Sequence, residues 1–443
     1  MTSPRRRLAA PFTTPRAVTV PAAAAAPGVP PSLIAADPSI AEPASDPFYT
    51  PPATIPDAPG SLIRDQRASH PLDVAARADK ILYTSTTQDG VPVATSATVI
   101  EPAGRWQGNG PTPTIVFAPG TRGSGDDCAP SRADNLLGAI TDDSSQPMNF
   151  NYEYPFYAAA SAMGIRVIAA DLIDLGPPGQ HTYGTHTEEG QAVPDAARAG
   201  VEFVGAAADS PIGFYGYSQG GGAAAGAADH AATYAPELNV KGTFAGAPPA
   251  DLLEVVKAVD NHMIAGVAGY ALNGALARHP ELADLQDEYF NEKGHEFMAA
   301  TADECIGNSV ENWENTDTRT LTKDGRSFSG IAESDPRLRD VLTNSHYRLG
   351  TRALNAPMLV LNAAHDDTIP YDQSREMAAS YCALGGSDGA HAPVQFITDP
   401  MPEIAPKTAA NHAVPMFSQA GTAFSWIVDR FNGVAAPNSC GSL

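Results

Sequence analysis

The sequence predicts an α/β fold, a mostly parallel sheet flanked by helices, with a helical insertion ahead of its last strands. Three observations carry this reading. Short apolar runs alternate with helical stretches along much of the chain. One such run, Ile212-Gly213-Phe214-Tyr215, passes through Gly216-Tyr217-Ser218-Gln219-Gly220 directly into a stretch of Gly and Ala. From about 251 to 348 the strand pattern disappears, and it resumes near Pro357.

Residues 81–86 and 91–100 read as strands flanking Asp89-Gly90, a pair suited to the left-handed backbone of a tight hairpin turn. Residues 114–118 form a short apolar strand that runs into the Gly/Pro-rich loop 119–125. A helix over about 152–163 leads to a strand at 165–170, and a helix over about 187–204 precedes the Ile212 run. Another strand at 241–246 ends at Ala247-Pro248-Pro249. Within 251–348, residues 252–256 and 264–276 read as helices of mixed amphipathicity. The segment is either a cap over a site or a passive extension of the fold. Strands resume at 357–361 and 394–398, and a last helix covers about 414–431. The expected organisation is an arm over 1–50, a core of 51–250 and 349–443, and a helical cap over 251–348.

A net charge of −23 and a pI near 4.7 argue against nucleic acid or an anionic membrane as partners, and fit the solubility of an exported protein. No apolar run approaches the roughly 18 residues needed to cross a bilayer. Residues 1–50 combine Arg5-Arg6-Arg7 with Pro- and Ala-rich sequence, including Ala22 to Ala26. A basic start and small residues suit an export leader, but Pro11, Pro15, Arg16 and Pro21 break its apolar region. A twin-arginine leader, a misplaced start and a disordered arm are the alternatives. The four cysteines, Cys128, Cys305, Cys382 and Cys440, show no metal-type spacing, and no metal or cofactor is expected. Their even number in an exported chain suggests two disulfides with three possible connectivities, against buried free thiols.

The Gly216–Gly220 sequence is a G-x-S-x-G pattern in the strand–turn–helix setting of a nucleophile elbow. The glycines allow a strained turn with close helix–strand packing, which leaves the Ser218 hydroxyl at the tip. Such a turn belongs to the α/β-hydrolase arrangement, in which serine, acid and histidine follow one another at the carboxyl ends of successive strands. After the strand at 357–361 the chain reads Asn362-Ala363-Ala364-His365-Asp366-Asp367, so spacing leaves Asp366 and Asp367 both open as the acid. Of eleven histidines, only His391 and His412 lie beyond that loop. His391 precedes the strand at 394–398 and falls at the wrong edge of the sheet, whereas His412 follows that strand and is the expected base. The other histidines, among them His181 and His186 in a Gly/Thr loop, read as surface or core residues. In this scheme His412 takes the Ser218 proton as Oγ attacks an ester carbonyl, and the acid orients the imidazole. The N–H of Gln219 would bind the oxyanion, with a second donor from Thr121 or Arg122. Gly and Pro in that second loop also suit any tight βα turn.

From about residue 75 onward the chain resembles the secretory lipases typified by Candida antarctica lipase A, including their actinobacterial branch. The resemblance rests on Gly216-Tyr217-Ser218-Gln219-Gly220-Gly221, Asp127-Cys128-Ala129-Pro130-Ser131, Asp366-Asp367-Thr368-Ile369-Pro370-Tyr371 and Asn411-His412. Weaker points are Tyr234-Ala235-Pro236-Glu237-Leu238-Asn239 and Ala277-Arg278-His279-Pro280. It implies a triad of Ser218, Asp366 and His412, disulfides Cys128–Cys305 and Cys382–Cys440, and a cap shaping an acyl-binding tunnel. It also implies lipid or other carboxylic esters as substrates. The chain departs from the yeast pattern at Gly120-Thr121-Arg122-Gly123, where the yeast enzyme has an acidic residue, and at Gln219, where it has glycine. The second oxyanion donor therefore stays open between Thr121 and Arg122. The expected function is a secreted serine ester hydrolase, a lipase by this resemblance. The alternatives are an acyltransferase using the same acyl-enzyme and an inactive hydrolase fold used for binding.

Overall fold

The parallel strands bring loops from distant parts of the sequence to one edge of a sheet. The structure, a computed structural model, describes residues 46–68, 77–133, 147–384 and 392–443. His391 and all but residues 46–50 of the leader or arm expected over 1–50 lie outside the described residues. The strands are β1 (Leu62–Arg67), β2 (Ala78–Thr86), β3 (Pro92–Ile100), β4 (Thr114–Ala118), β5 (Arg166–Ala170), β6 (Ile212–Tyr217), β7 (Val240–Gly246), β8 (Met358–Ala363) and β9 (Val394–Asp399). They form one sheet in the order β1-β2-β3-β5-β4-β6-β7-β8-β9. β1, β2 and β3 pair antiparallel, β3 meets β5 antiparallel, and the remaining pairs are parallel. Ala118 pairs with Gly216, Tyr217 with Gly246, Gly246 with Leu361, and Ala363 with Asp399. The loops after β4, β6, β8 and β9 therefore leave the sheet side by side, the usual place for a site in such a fold.

The period of two along each strand divides the core. Val116 and Phe214 pack on one face with Ala192, Ala196, Ala223 and Ala227. These alanines come from α2 (His186–Phe203) and α3 (Gln219–Tyr234), and α1 (Tyr154–Ala162) is the helix before them. Ile115, Phe117 and Tyr215 face the opposite layer, where Tyr157 of α1 and the C-terminal Phe424 and Ile427 are buried. Both faces are covered, which explains the continuous apolar runs in the central strands. At the closest approach of α2 to α3, a Cβ on Gly190 would stand 2.4 Å from the carbonyl carbon of Gly226. Only small residues permit that contact.

β1 escapes the sequence reading because Arg64, Asp65, Gln66 and Arg67 mask any apolar alternation. Charged side chains suit its place at the sheet edge, where they discourage pairing with another chain. Phe48 and Tyr49, assigned by sequence to the arm over 1–50, are buried against Leu82 and Ala94. The packed protein thus begins before residue 51.

Between β7 and β8 the chain forms α4 (Leu252–Ala258), α5 (Gly266–Arg278), α6 (Leu285–Tyr289), α7 (Glu292–Thr301), α8 (Ile306–Trp313), α9 (Phe328–Ser334) and α10 (Pro336–Leu342). After β8 come α11 (Tyr371–Ala383) and, beyond β9, α12 (Ala410–Ser418) and α13 (Ala420–Phe431). The single helix expected over 414–431 is thus two, and His412 sits in the first turn of α12 rather than ahead of it. The break falls at Gln419, whose side chain donates to Asp399 Oδ2 at 2.8 Å and fixes the chain at that point.

Disulfides join Cys128 to Cys305 and Cys382 to Cys440. The first ties the loop after β4 to the start of α8, across 177 residues of sequence. A Cys128→Ser/Cys305→Ser double variant should lose about 2–5 kcal/mol of stability, read as a lower urea midpoint.

Candidate active site

Ser218 is the single residue between β6 and α3, with φ 59° and ψ −127°, a backbone conformation costly for any residue with a side chain. Two glycines make the turn possible. A Cβ on Gly216 would lie 1.9 Å from the Gly220 carbonyl oxygen, and one on Gly220 would lie 2.1 Å from that of Ala118. The Ser218 N–H donates to Gly246 O at 2.9 Å, which anchors the turn to β7. Gln219 then begins α3, so its N–H stands among the unpaired donors of a helix N-terminus.

After β8, the Asp366 side chain is fully buried. Its Oδ1 accepts from the N–H groups of Thr368 and Ile369 at 2.9 and 2.8 Å, and its Oδ2 faces His412 Nδ1 at 2.8 Å. A carboxylate held by two N–H donors can only accept at its remaining oxygen, so Nδ1 of His412 carries the proton and Nε2 presents a lone pair. Tyr217, adjacent to Ser218, donates its hydroxyl to His412 O at 2.9 Å, and its ring centroid lies 5.3 Å from the imidazole. Asn411 Oδ1 accepts from Ile404 and Ala405, fixing the approach to α12. Among the described residues, Ser218 Oγ and His412 form no hydrogen bond. The structure therefore joins His412 to Asp366 and sets His412 against the residue beside Ser218.

The two oxyanion candidates separate. Thr121 lines the pocket that contains Ser218 and Gln219, and its hydroxyl is 2.6 Å from Tyr183 OH. The Arg122 side chain is fully buried beneath that loop and is not part of the pocket wall. Its guanidinium donates to Glu153 Oε2 at 3.0 Å, to Asn151 Oδ1 at 2.8 Å and to Phe150 O, and lies over the Tyr152 ring. Glu153 Oε1 accepts from Gly120 N–H at 3.1 Å, so the pair braces the loop that carries Thr121. Burial pushes the Glu153 carboxyl up from its ordinary value, and Arg122 opposes that shift.

A second buried network lies at Gln219, whose Nε2 donates to Glu189 Oε1 and to His181 Nε2, each at 2.8 Å. His181 Nδ1 donates to Ile173 O at 2.7 Å, so its Nε2 is the acceptor, and burial lowers the pKa of this neutral imidazole. His186 Nε2 is bonded to Pro249 O at 2.9 Å. Both histidines are core residues. Tyr183, Glu153 and Glu189 are absent from the sequence reading because the site residues they hold, Thr121, Arg122 and Gln219, lie 30 or more residues away and no spacing announces them. Among the described residues no group of three or more His, Cys, Asp or Glu could hold a metal ion, and no helix is long and apolar enough to cross a membrane.

The Ser218 pocket, of about 440 Å³, is walled mostly by aliphatic residues, among them Leu252, Val255, Ile264, Val267 and Ile369. It shares Val256, Ala268 and Ala271 with a neighbouring apolar cavity of about 480 Å³, lined further by Leu272, Leu285, Phe290, Phe328 and Leu338.

Residues 144–439 match the secretory lipase family, which is more than half of the chain. The chain belongs to that family. It is a hydrolase of the lipase and carboxylesterase kind, acting on ester substrates. A secreted triacylglycerol lipase of Malassezia globosa is 26% identical over 430 residues, 92% of this chain and 85% of that protein. A probable inactive lipase of Mycobacterium tuberculosis is 28% identical over 409 residues, 88% of this chain and 83% of the relative. Candida antarctica lipase A in its closed state superposes with a TM-score of 0.73 at 22% identity, covering 91% of this chain and 89% of that one. The α/β-hydrolase fold is common to both.

Arg122→Met should strand the buried Glu153 carboxyl and cost about 3–5 kcal/mol near neutral pH. A carboxyl whose folded pKa is raised holds its proton above the pH at which the unfolded chain releases it. The deficit should therefore be small near pH 4 and grow as pH rises, as urea titrations at several pH values would measure.

Proposed function

We propose that Ser218, His412 and Asp366 form a catalytic triad that hydrolyses lipid esters through an acyl-enzyme on Ser218. The observation that carries this reading is the 2.8 Å hydrogen bond between Asp366 and His412, two residues 46 apart in sequence, beside the strained Ser218 turn. His412 Nε2 accepts the Ser218 proton as Oγ attacks the carbonyl carbon, and returns it to the departing alcohol. Water then attacks the acyl carbon, giving up its proton to His412, and the acid is released as Ser218 recovers a proton. Asp366 stabilises the imidazolium without itself taking a proton. The proton transfer requires Oγ and Nε2 to close to about 3 Å, a contact that in unliganded enzymes often tightens only with substrate.

The Gln219 N–H and the Thr121 side of the pocket would receive the oxyanion. The helices of 251–348 act as the cap in this reading, and their aliphatic cavities suit an acyl chain. The secretory family, the secreted Malassezia relative and two disulfides support export.

A series of p-nitrophenyl esters from acetyl to palmitoyl should be turned over, with the preference rising toward the longer acyl groups. Ser218→Ala and His412→Ala should each lower kcat by at least about 10⁴-fold, while His391→Ala keeps most of it. Absence of turnover on every ester would instead favour a binding role, and faster transfer to added alcohol than to water would favour an acyltransferase.

A further inference from the structure

Spacing leaves Asp366 and Asp367 equivalent, yet the structure gives them different partners. Asp366 meets the imidazole of His412, whereas Asp367 meets backbone. Its Oδ2 accepts from the N–H groups of Thr408 and Ala409, both at 3.1 Å. Those residues sit in a turn where Lys407 and Ala409 have φ 65° and 58°, unfavourable for residues other than glycine. Ala409 is the N-cap of α12, and its carbonyl accepts from His412 N at 3.2 Å and Ala413 N at 2.8 Å. The conformation of Ala409 therefore sets where the first turn of α12, and with it His412, stands.

The segment between α4 and α5 clasps the same turn. Met263 N–H donates to Lys407 O at 2.9 Å, and Lys407 Nζ donates to Ala258 O and Asp260 O at 3.0 and 2.8 Å. His262 is fully buried, and its Nδ1 accepts from Ile264 N–H at 3.2 Å, so a neutral ring carries its proton on Nε2. That Nε2 stands 3.6 Å from Asp367 Oδ2, beyond a hydrogen bond but within reach of the charge. Burial opposes ionisation of Asp367, but His262 and the Thr408 N–H more than offset it, and its pKa lies below the ordinary carboxylate value. Ile264, two residues on, lines the Ser218 pocket.

We propose that Asp367 is a positioning residue for the base: its carboxylate holds the 407–409 turn in the conformation that presents His412, and His262 couples that hold to the helices lining the pocket. This rests on the Ser218–His412–Asp366 reading.

The test compares Asp367→Ala, Asp367→Asn and His262→Asn in the full-length protein. Rates on p-nitrophenyl butyrate are normalised to active sites titrated to completion with a fluorophosphonate, and melting temperature is followed in parallel. Asp367→Ala should lower kcat per active site by about 30- to 100-fold with KM nearly unchanged, the penalty expected when a catalytic group is misplaced by about 1 Å. Asp367→Asn keeps an oxygen for both N–H groups and should regain about ten-fold of that loss. His262→Asn keeps an acceptor for Ile264 N–H but loses the facing N–H, and should lower kcat about three- to ten-fold. Unchanged kcat per active site in Asp367→Ala, a loss residing in KM, or Asn performing no better than Ala would overturn the proposal. Should Asp367→Ala fail to fold, the two near-isosteric variants decide: kcat per site equal to wild type in both overturns it, and a reduced kcat in both supports it. Ser218→Ala and His412→Ala run alongside. Retained activity in those two removes the triad reading itself, whereas their loss beside a fully active Asp367→Ala removes this inference alone.

Discussion

At Ser218 the chain turns from strand to helix in one residue, held at φ 59° and ψ −127°. The surroundings enforce that conformation rather than the residue choosing it. Gly216 and Gly220 approach each other and β4 more closely than any Cβ would allow, and β7 takes the Ser218 N–H. Helix α3 is therefore pressed against the sheet, and its residues 219–231 are buried throughout. Their Gly- and Ala-rich composition follows from that lack of room, and the α2–α3 contact at Gly190 and Gly226 extends the same constraint outward.

A strained turn of this kind needs rigid neighbours, and buried polar groups supply them. Glu153 and Arg122 brace the loop carrying Thr121 from below. Glu189 and His181 hold the Gln219 side chain. Asp366 is fixed by two backbone N–H groups before it meets His412. Each of these groups would be costly to bury alone, and each has the partners that make burial tolerable. The pocket itself is mostly aliphatic, so the polar atoms that face it are few and held in fixed directions. That is the kind of pre-organisation an acyl-transfer site requires.

Much of the frame is legible in the residues. The alternation of β4, β5, β6, β7 and β8 with helices, the hairpin at Asp89-Gly90 and the turn at Ser218 all rest on local signals that act over a few positions. β1 is not legible, because its charged residues belong to an edge strand and carry no alternation. Nor is the break at Gln419, which depends on Asp399, a residue of a neighbouring strand. The loop after β4 is a middle case: Gly and Pro announce a turn, but only the packing turns Arg122 inward and leaves Thr121 on the pocket wall.

What the sequence determined by itself is the order of elements and the chemistry available at the ends of three strands, since strand period, turn residues and residue type are properties of short segments. Spacing left two adjacent aspartates open and the family resemblance implied Asp366; only the tertiary structure decided how each carboxylate is held and which of them meets the imidazole. Neighbours in a loop differ by a single backbone step, and the direction of each carboxylate is set by the N–H groups it meets, local for one and brought from a distant part of the chain for the other. For Asp366 these come from Thr368 and Ile369, and for Asp367 from Thr408 and Ala409.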